Sequence, residues 1–201
     1  NRARFYIEDT TSFKTYVYDD SDQFILKGTL ALDSATISAL AAGLVAGDNQ
    51  QITWIRQGRI DTVNVKYATD GVNFSNLIEG GISFPSNSAT TQSLTTAWSV
   101  PQYIGTTYKI LVEDNNYEKA GSAGTFIPSE FFKIKGDILV TTPSTPDTWS
   151  IASTKTITWD IVSGNVQYVK IYCAPTGSFD DKYLIHTGNL DADNVDPFDP
   201  N

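Results

Sequence analysis

Three acidic stretches hold the residues best suited to chemistry: "YDDSDQ" (18–23), "VEDNN" (112–116) and "DADNVDPFD" (191–199). Carboxylate and amide oxygens bunched on a turn are hard ligands, and hard ligands suit Ca²⁺. In the last stretch Asp191, Asp193 and Asp196 resemble a calcium loop, although the glycine and the bidentate glutamate of an EF-hand are missing. The sequence therefore offers one candidate metal site, calcium at Asp191, Asp193 and Asp196, against the plainer reading of a solvated acidic turn. No other cofactor is expected.

The remaining chemistry is thinner. His186, the only histidine, stands in "LIHTG" without a second histidine or a cysteine beside it. A metal site needs several ligands at compatible spacing, so His186 is given no functional role. Cys173 alternates in phase with Val169 and Ile171, which reads as a small core residue. Trp54 and Trp159 each sit mid-strand in Ile-Thr-Trp; the choice is between a sugar-stacking platform and a buried sandwich tryptophan, and burial is the expectation. Trp98 and Trp149 lie nearer strand ends, where exposure is easier, with core still favoured. There is no HExxH, Gly-x-Ser-x-Gly, P-loop or GxGxxG. A carboxylate pair for glycoside hydrolysis depends on a spatial separation that counting cannot supply. No enzymatic activity is expected.

The elements that carry these residues say the same thing twice. "ITWIRQGRIDTVNVKYATDG" (52–71) is echoed by "ITWDIVSGNVQYVKIYCAPTG" (157–177). "YKILVEDNNY" (108–117) echoes "ARFYIEDTTS" (3–12), and "FKIKGDILV" (132–140) echoes "FILKGTLAL" (24–32). A fixed period must be sought early, because missing it mis-assigns the fold. The blocks divide the chain into late strands of a partial repeat (1–28), one complete repeat (29–136) and early strands of a second partial repeat (137–201). A catalytic pair would have to sit in one repeat alone or occur twice, which argues further against an enzyme.

The period inside each block is two. Val63, Val65 and Tyr67 alternate with Asn64 and Lys66; Val169, Ile171 and Cys173 with Lys170 and Tyr172; Tyr108, Ile110 and Val112 with Lys109 and Leu111. That is the pattern of half-buried strands. Turns are expected at Asp70-Gly71, Gly80-Gly81, Pro85-Ser86-Asn87, Asp114-Asn115-Asn116, Ser163-Gly164-Asn165 and Pro175-Thr176-Gly177. "SATISALAAGLVAG" (34–47) is the one helical candidate; Gly43 and Gly47 weaken it, and a loop with a short turn is the expectation. Short strands at this spacing predict an all-β chain of immunoglobulin-like β-sandwich repeats.

Composition bounds the partners. The chain has 201 residues, 14 basic against 23 acidic, and a net charge of −9, which leaves no basic patch for a nucleic acid. One cysteine excludes an intrachain disulfide framework. No apolar run approaches the roughly 18 residues of a membrane span. The absence of methionine suggests a processed product or a window on a longer chain.

The stretch "TTPSTPDTWSIASTKTITWDIVSGNVQYVKIYCAPTGSF" (141–179), with Ile52-Thr53-Trp54, Val63 to Gly71, Trp98-Ser99-Val100-Pro101 and Tyr108 to Asp114, resembles an Ig-like repeat. That repeat occurs in tandem in large prokaryotic surface proteins. It is related to the domain of Ser-Thr-rich glycolipid-anchored fungal cell-wall proteins. Leu44 near the place of Trp149, and Cys173 in the place of Tyr67, depart from the pattern. The resemblance implies an extracellular or cell-surface location and a structural role.

A half-sandwich exposes strand edges and an apolar face, so something must complete it. "VDPFDPN" (195–201) resembles "AWSVPQ" (97–102), with Phe198 and Pro200 for Trp98 and Pro101, so the two ends read as halves of one unit. The expectation is a non-enzymatic surface filament or stalk, its units joined covalently or by donated strands, each copy partnering others head-to-tail. The alternative is an adhesin or carbohydrate-binding module that recognises surface glycans.

Overall fold

The computed structural model describes residues 2–11, 17–25, 27–58, 60–84, 91–115, 126–185, 190–191 and 196–198. Among these, strands and turns dominate, with one α-helix and one 3-10 turn at Phe179–Asp181. The expected all-β class is what forms.

In chain order the strands begin with β1 (Arg2–Ala3), β2 (Tyr6–Glu8), β3 (Tyr18–Asp20), β4 (Phe24–Ile25) and β5 (Thr29–Leu32). After helix α1 (Ser34–Ala42) come β6 (Leu44–Val45), β7 (Asn49–Gln57), β8 (Thr62–Ala68) and β9 (Asn76–Ser83). Next are β10 (Gln92–Ser99), β11 (Gly105–Asp114), β12 (Phe126–Pro128) and β13 (Phe132–Lys135). The last part carries β14 (Asp137–Thr142), β15 (Lys155–Ser163), β16 (Tyr168–Val169), β17 (Tyr172–Cys173), β18 (Tyr183–Leu184), β19 (Leu190–Asp191) and β20 (Asp196–Phe198). Two compact units result. One comprises Asn1–Ala41, Gln51–Trp98 and Thr107–Phe131; the other comprises Ala42–Gln50, Ser99–Thr106 and Phe132–Asn201.

The core of the first unit follows the alternation. Ile52, Trp54 and Arg56 of β7 and Val63 and Val65 of β8 are buried. Antiparallel pairing sets Leu32 opposite Trp54, Leu30 opposite Arg56 and Val65 opposite Val112. Each large aliphatic side chain removed from water here contributes about 1.5–3 kcal/mol. Trp54 is fully buried, meets Phe84 edge-on at 6.1 Å and donates from Nε1 to Thr96 Oγ1 at 3.4 Å. Its expected core role is borne out. The buried Arg56 donates to the carbonyls of Ile60 (3.0 Å) and Gly58 (3.3 Å), and its guanidinium lies 4.2 Å from the Phe84 ring centre. A charge taken from water needs such partners.

Three expectations are corrected in the middle of the chain. The stretch after Asp33 is a helix, not a loop. Asp33 Oδ1 accepts from the Thr36 backbone N–H at 2.7 Å, a cap that satisfies an orphan donor of the first turn. Gly43, at φ +84°, follows the last helical residue, so the glycine that weakened the expectation is the one that ends the helix. Gly80-Gly81 lies within β9 rather than at a turn. The β8–β9 register shifts there, and Asn64 Oδ1 takes the Gly81 N–H at 2.9 Å. Finally, the last part of β11 is not half-buried: Leu111 and Glu113 are buried along with Ile110 and Val112, with Lys66 Nζ pairing with Glu113 Oε1 at 2.5 Å.

In the second unit β15 pairs with β14 on one side and β20 on the other, and β16–β19 and β17–β18 are separate two-stranded ladders. β6 runs parallel to β13. The turn at Ser163-Gly164-Asn165 is held by Gln102, whose Oε1 and backbone carbonyl both accept at 2.9 Å from Gly164 and Asn165 N–H. Asn165 Oδ1 in return accepts from Ile104 N–H.

Candidate functional site

Ser129 shows how the late strands of the first unit are fastened. Its N–H donates to the Ile110 carbonyl at 2.7 Å, its Oγ accepts from Ile110 N–H at 2.9 Å, and Oγ donates to the Glu130 carbonyl at 2.7 Å. Ser21 repeats each bond. It donates to the Phe5 carbonyl at 2.9 Å, accepts from Phe5 N–H at 3.0 Å and donates to the Asp22 carbonyl at 2.9 Å. The ladders beside them also agree. Leu111, Val112 and Glu113 stand opposite Pro128, Ile127 and Phe126; Tyr6, Ile7 and Glu8 stand opposite Asp20, Asp19 and Tyr18. A serine followed by an acidic residue just before the "FILKG" and "FKIKG" blocks was the signal in the sequence, and it had no predicted role.

The C-terminal part matches the middle of the chain in the same manner. Thr29 opposite Gln57 and Leu32 opposite Trp54 have counterparts in Asp137 opposite Ser163 and Val140 opposite Trp159, with one extra residue bulged into β15. Tyr67 and Lys66 face Asn76 and Leu77; Cys173 and Tyr172 face Tyr183 and Leu184. Val63 and Thr62 face Ile82 and Ser83; Val169 and Tyr168 face Leu190 and Asp191. Thr53 Oγ1 lies 3.1 Å from Thr95 Oγ1, a register that brings Ile52 opposite Thr96. Ile157 pairs with Asp196, so Phe198 falls where Trp98 does.

One ladder of the first unit lacks its counterpart among the described residues. β8 pairs with β11 over six positions, from Lys109 opposite Ala68 to Asp114 opposite Val63. The corresponding segments, 4–9 and 169–174, each lie on two-stranded sheets. Their side chains show the consequence. Ile110, Leu111 and Val112 are 0%, 7% and 0% exposed, while Phe5, Tyr6 and Ile7 are 68%, 57% and 73% exposed. Within the second unit the matching opening is an apolar cleft of about 320 Å³. It is lined by Ile138, Val140, Ile157, Trp159, Val169 and Ile171, together with Lys170, Tyr172, Phe179 and Lys182. This cleft and its strand edge are the candidate site, suited to binding an extended apolar strand.

The residues singled out from sequence fall as follows. Trp98 is buried with Trp54; Trp159 is half-buried on the cleft and Trp149 is half-buried. Cys173, expected in the core, is exposed: among the described residues β17 pairs with β18 alone, and no strand lies across its other edge. Asp191 lies on the ladder with Tyr168 and Asp196 on the ladder with Ile157. Asp193 and His186 fall outside the described residues, as does the expected turn at Pro85-Ser86-Asn87. Among the described residues no three His, Cys, Asp or Glu side chains gather as metal ligands, and no helix is long and apolar enough to cross a membrane. In comparisons with known proteins the chain matches no family model, and no curated protein is significantly similar to it.

Proposed function

We propose that this chain is a structural, extracellular protein built of tandem Ig-like β-sandwich repeats that assemble head-to-tail into a surface filament or stalk. One observation carries the reading. The strand registers of the middle of the chain recur in its two ends, and the β8–β11 ladder, whose equivalent would join those ends, has no counterpart among the described residues. Exposed Phe5, Tyr6 and Ile7 and the open cleft against Trp159 are then two halves of one core. A contact of this heterologous kind, repeated from copy to copy, generates a fibre unless the rotation closes it. Electron microscopy of the purified chain at rising concentration tests the reading: filaments with an axial repeat fitting two sandwich domains are expected, and discrete small particles throughout would overturn it.

Calcium at Asp191, Asp193 and Asp196 belongs to the same proposal as a stiffener of the repeats. A rise in thermal midpoint on adding calcium, lost in Asp193→Asn, is its test. The second reading, a glycan-binding module, draws on exposed Tyr168, Tyr172, Phe179 and Tyr183 in the second unit. Aromatic faces open to solvent are the surfaces on which sugars stack. Saturable binding on a glycan array, removed by Tyr168→Ala, would put that reading first.

A further inference from the structure

We infer that the segment 4–9 of one copy adds as an antiparallel strand to the segment 169–174 of a second copy, in the register that β11 and β8 adopt within the first unit. The inference rests on the assembly reading and specifies its joint. Transferring the β8–β11 ladder residue by residue sets Arg4 opposite Ala174, Phe5 opposite Cys173 and Tyr6 opposite Tyr172. It continues with Ile7 opposite Ile171, Glu8 opposite Lys170 and Asp9 opposite Val169.

Four features of the two segments fit that register. Ile7 and Ile171 take the places of Val112 and Val65, both fully buried in the first unit, and Ile171 already lines the cleft. Glu8 meets Lys170, an opposite-charge cross-strand pair, where like charges would oppose pairing. Among the described residues no strand lies beside the outer edge of β2 or the outer edge of β17, so both edges offer backbone groups to a partner. The hydrogen bonds of Ser21 hold Phe5 in the conformation that Ser129 imposes on Ile110, so the donated strand is ordered before it docks. Main-chain bonds along the edge supply affinity in such strand addition, and the alternate side chains entering the cleft supply specificity.

The only cysteine lies on the proposed ladder and is exposed, which makes the register directly readable. Opposed residues of an antiparallel pair have Cα atoms roughly 4.5–5.5 Å apart, inside the range a disulfide spans. A donor chain carrying Phe5→Cys and Cys173→Ser is mixed with the unmodified chain and oxidised. The expected product is a covalent dimer in which mass spectrometry finds position 5 joined to Cys173. A second donor, Tyr6→Cys with Cys173→Ser, presents its thiol on the opposite face and should cross-link about tenfold less. Equal yields from the two donors, with circular dichroism showing both folded, would overturn the register. A Phe5→Cys single variant that cross-links only within its own chain would overturn the second copy as occupant. So would an unmodified chain that sediments as a monomer at every concentration. Filaments without the position-specific cross-link would sink this joint and leave the assembly reading standing; cross-linked closed dimers without filaments would do the reverse.

Discussion

At the residue scale the two serines make a controlled comparison. Ser129 is buried and makes three bonds at one crossing, so Ser129→Ala strands the buried Ile110 N–H. Leaving buried polar groups unmatched costs about 1–3 kcal/mol, and urea denaturation followed by tryptophan fluorescence should show a loss of that size. Ser21 makes the same bonds in water's reach, so Ser21→Ala in the free chain should fall within about 0.5 kcal/mol, the usual span of surface substitutions. Similar losses at both sites would mean that residues 5 and 21 are already enclosed. Asp33 gives a pH prediction at the same scale. The Thr36 backbone N–H, aided by the Thr36 hydroxyl, holds the Asp33 carboxyl below its ordinary range. A depressed carboxylate contributes stability that is fully present above its unfolded value, about 3.9. That contribution is lost as pH falls through the lower folded value. Asp33→Asn keeps an acceptor and cannot titrate, so its acid unfolding should set in at lower pH than that of the unmodified chain, as followed by far-UV circular dichroism. Asp70, lowered mainly by the Asn73 and Val72 backbone N–H groups, titrates in the same window and should be changed in a parallel variant.

At the element scale the glycine pairs that begin each strand set argue the next prediction. A Cβ on Gly58, at φ +83°, would lie 3.1 Å from Gly28 Cα; one on Gly164, also at φ +83°, would lie 2.8 Å from Gly136 Cα. Backbone meets backbone at both places, so no side chain can swing away. Gly58→Ala and Gly164→Ala should each cost about 1–3 kcal/mol, the range for a residue forced into a sparsely populated conformation. A chemical-denaturation series measures both, and a loss at Gly58 alone would mean the second pair is not built to the same tolerance. Much of this was legible in the residues. Period two marked β7, β8 and β11, and Ile-Thr-Trp marked the buried Trp54. The helix is hard to read from the residues because Gly43 looks like a breaker when it acts as a stop, and because nothing local marks Asp33 as a cap. Arg56 was invisible as a core residue, since nothing local reveals that carbonyls of Gly58 and Ile60 will face its guanidinium. Cys173 sat in phase with Val169 and Ile171, but phase tells which face a side chain takes and not whether anything covers that face.

At the scale of the whole molecule, two opposing terms would govern the proposed association. The chain carries a net charge of −9, so copies repel at long range, and the repulsion is screened over about 10 Å at 0.1 M salt. The proposed joint is largely apolar, and screening would cost it little beyond the one Glu8–Lys170 pair it would form, which at an exposed site is worth at most about 1 kcal/mol. Association should therefore strengthen as salt rises from low ionic strength, the reverse of an interface held by charge. Ile7 is the residue on which that apolar contribution turns. Burying an isoleucine fully is worth about 1.5–3 kcal/mol, so Ile7→Ala should weaken association on the order of 10- to 100-fold, given about 1.4 kcal/mol per tenfold. Because Ile7 is 73% exposed in the free chain, the same substitution should leave monomer stability nearly unchanged. Sedimentation velocity across a salt series, run beside urea denaturation of the same variant, separates the two effects. Weakened association with intact stability identifies Ile7 as a contact made between copies. Matched losses in both would place its contribution within one molecule, and association that weakens with salt would transfer the joint from apolar burial to charge.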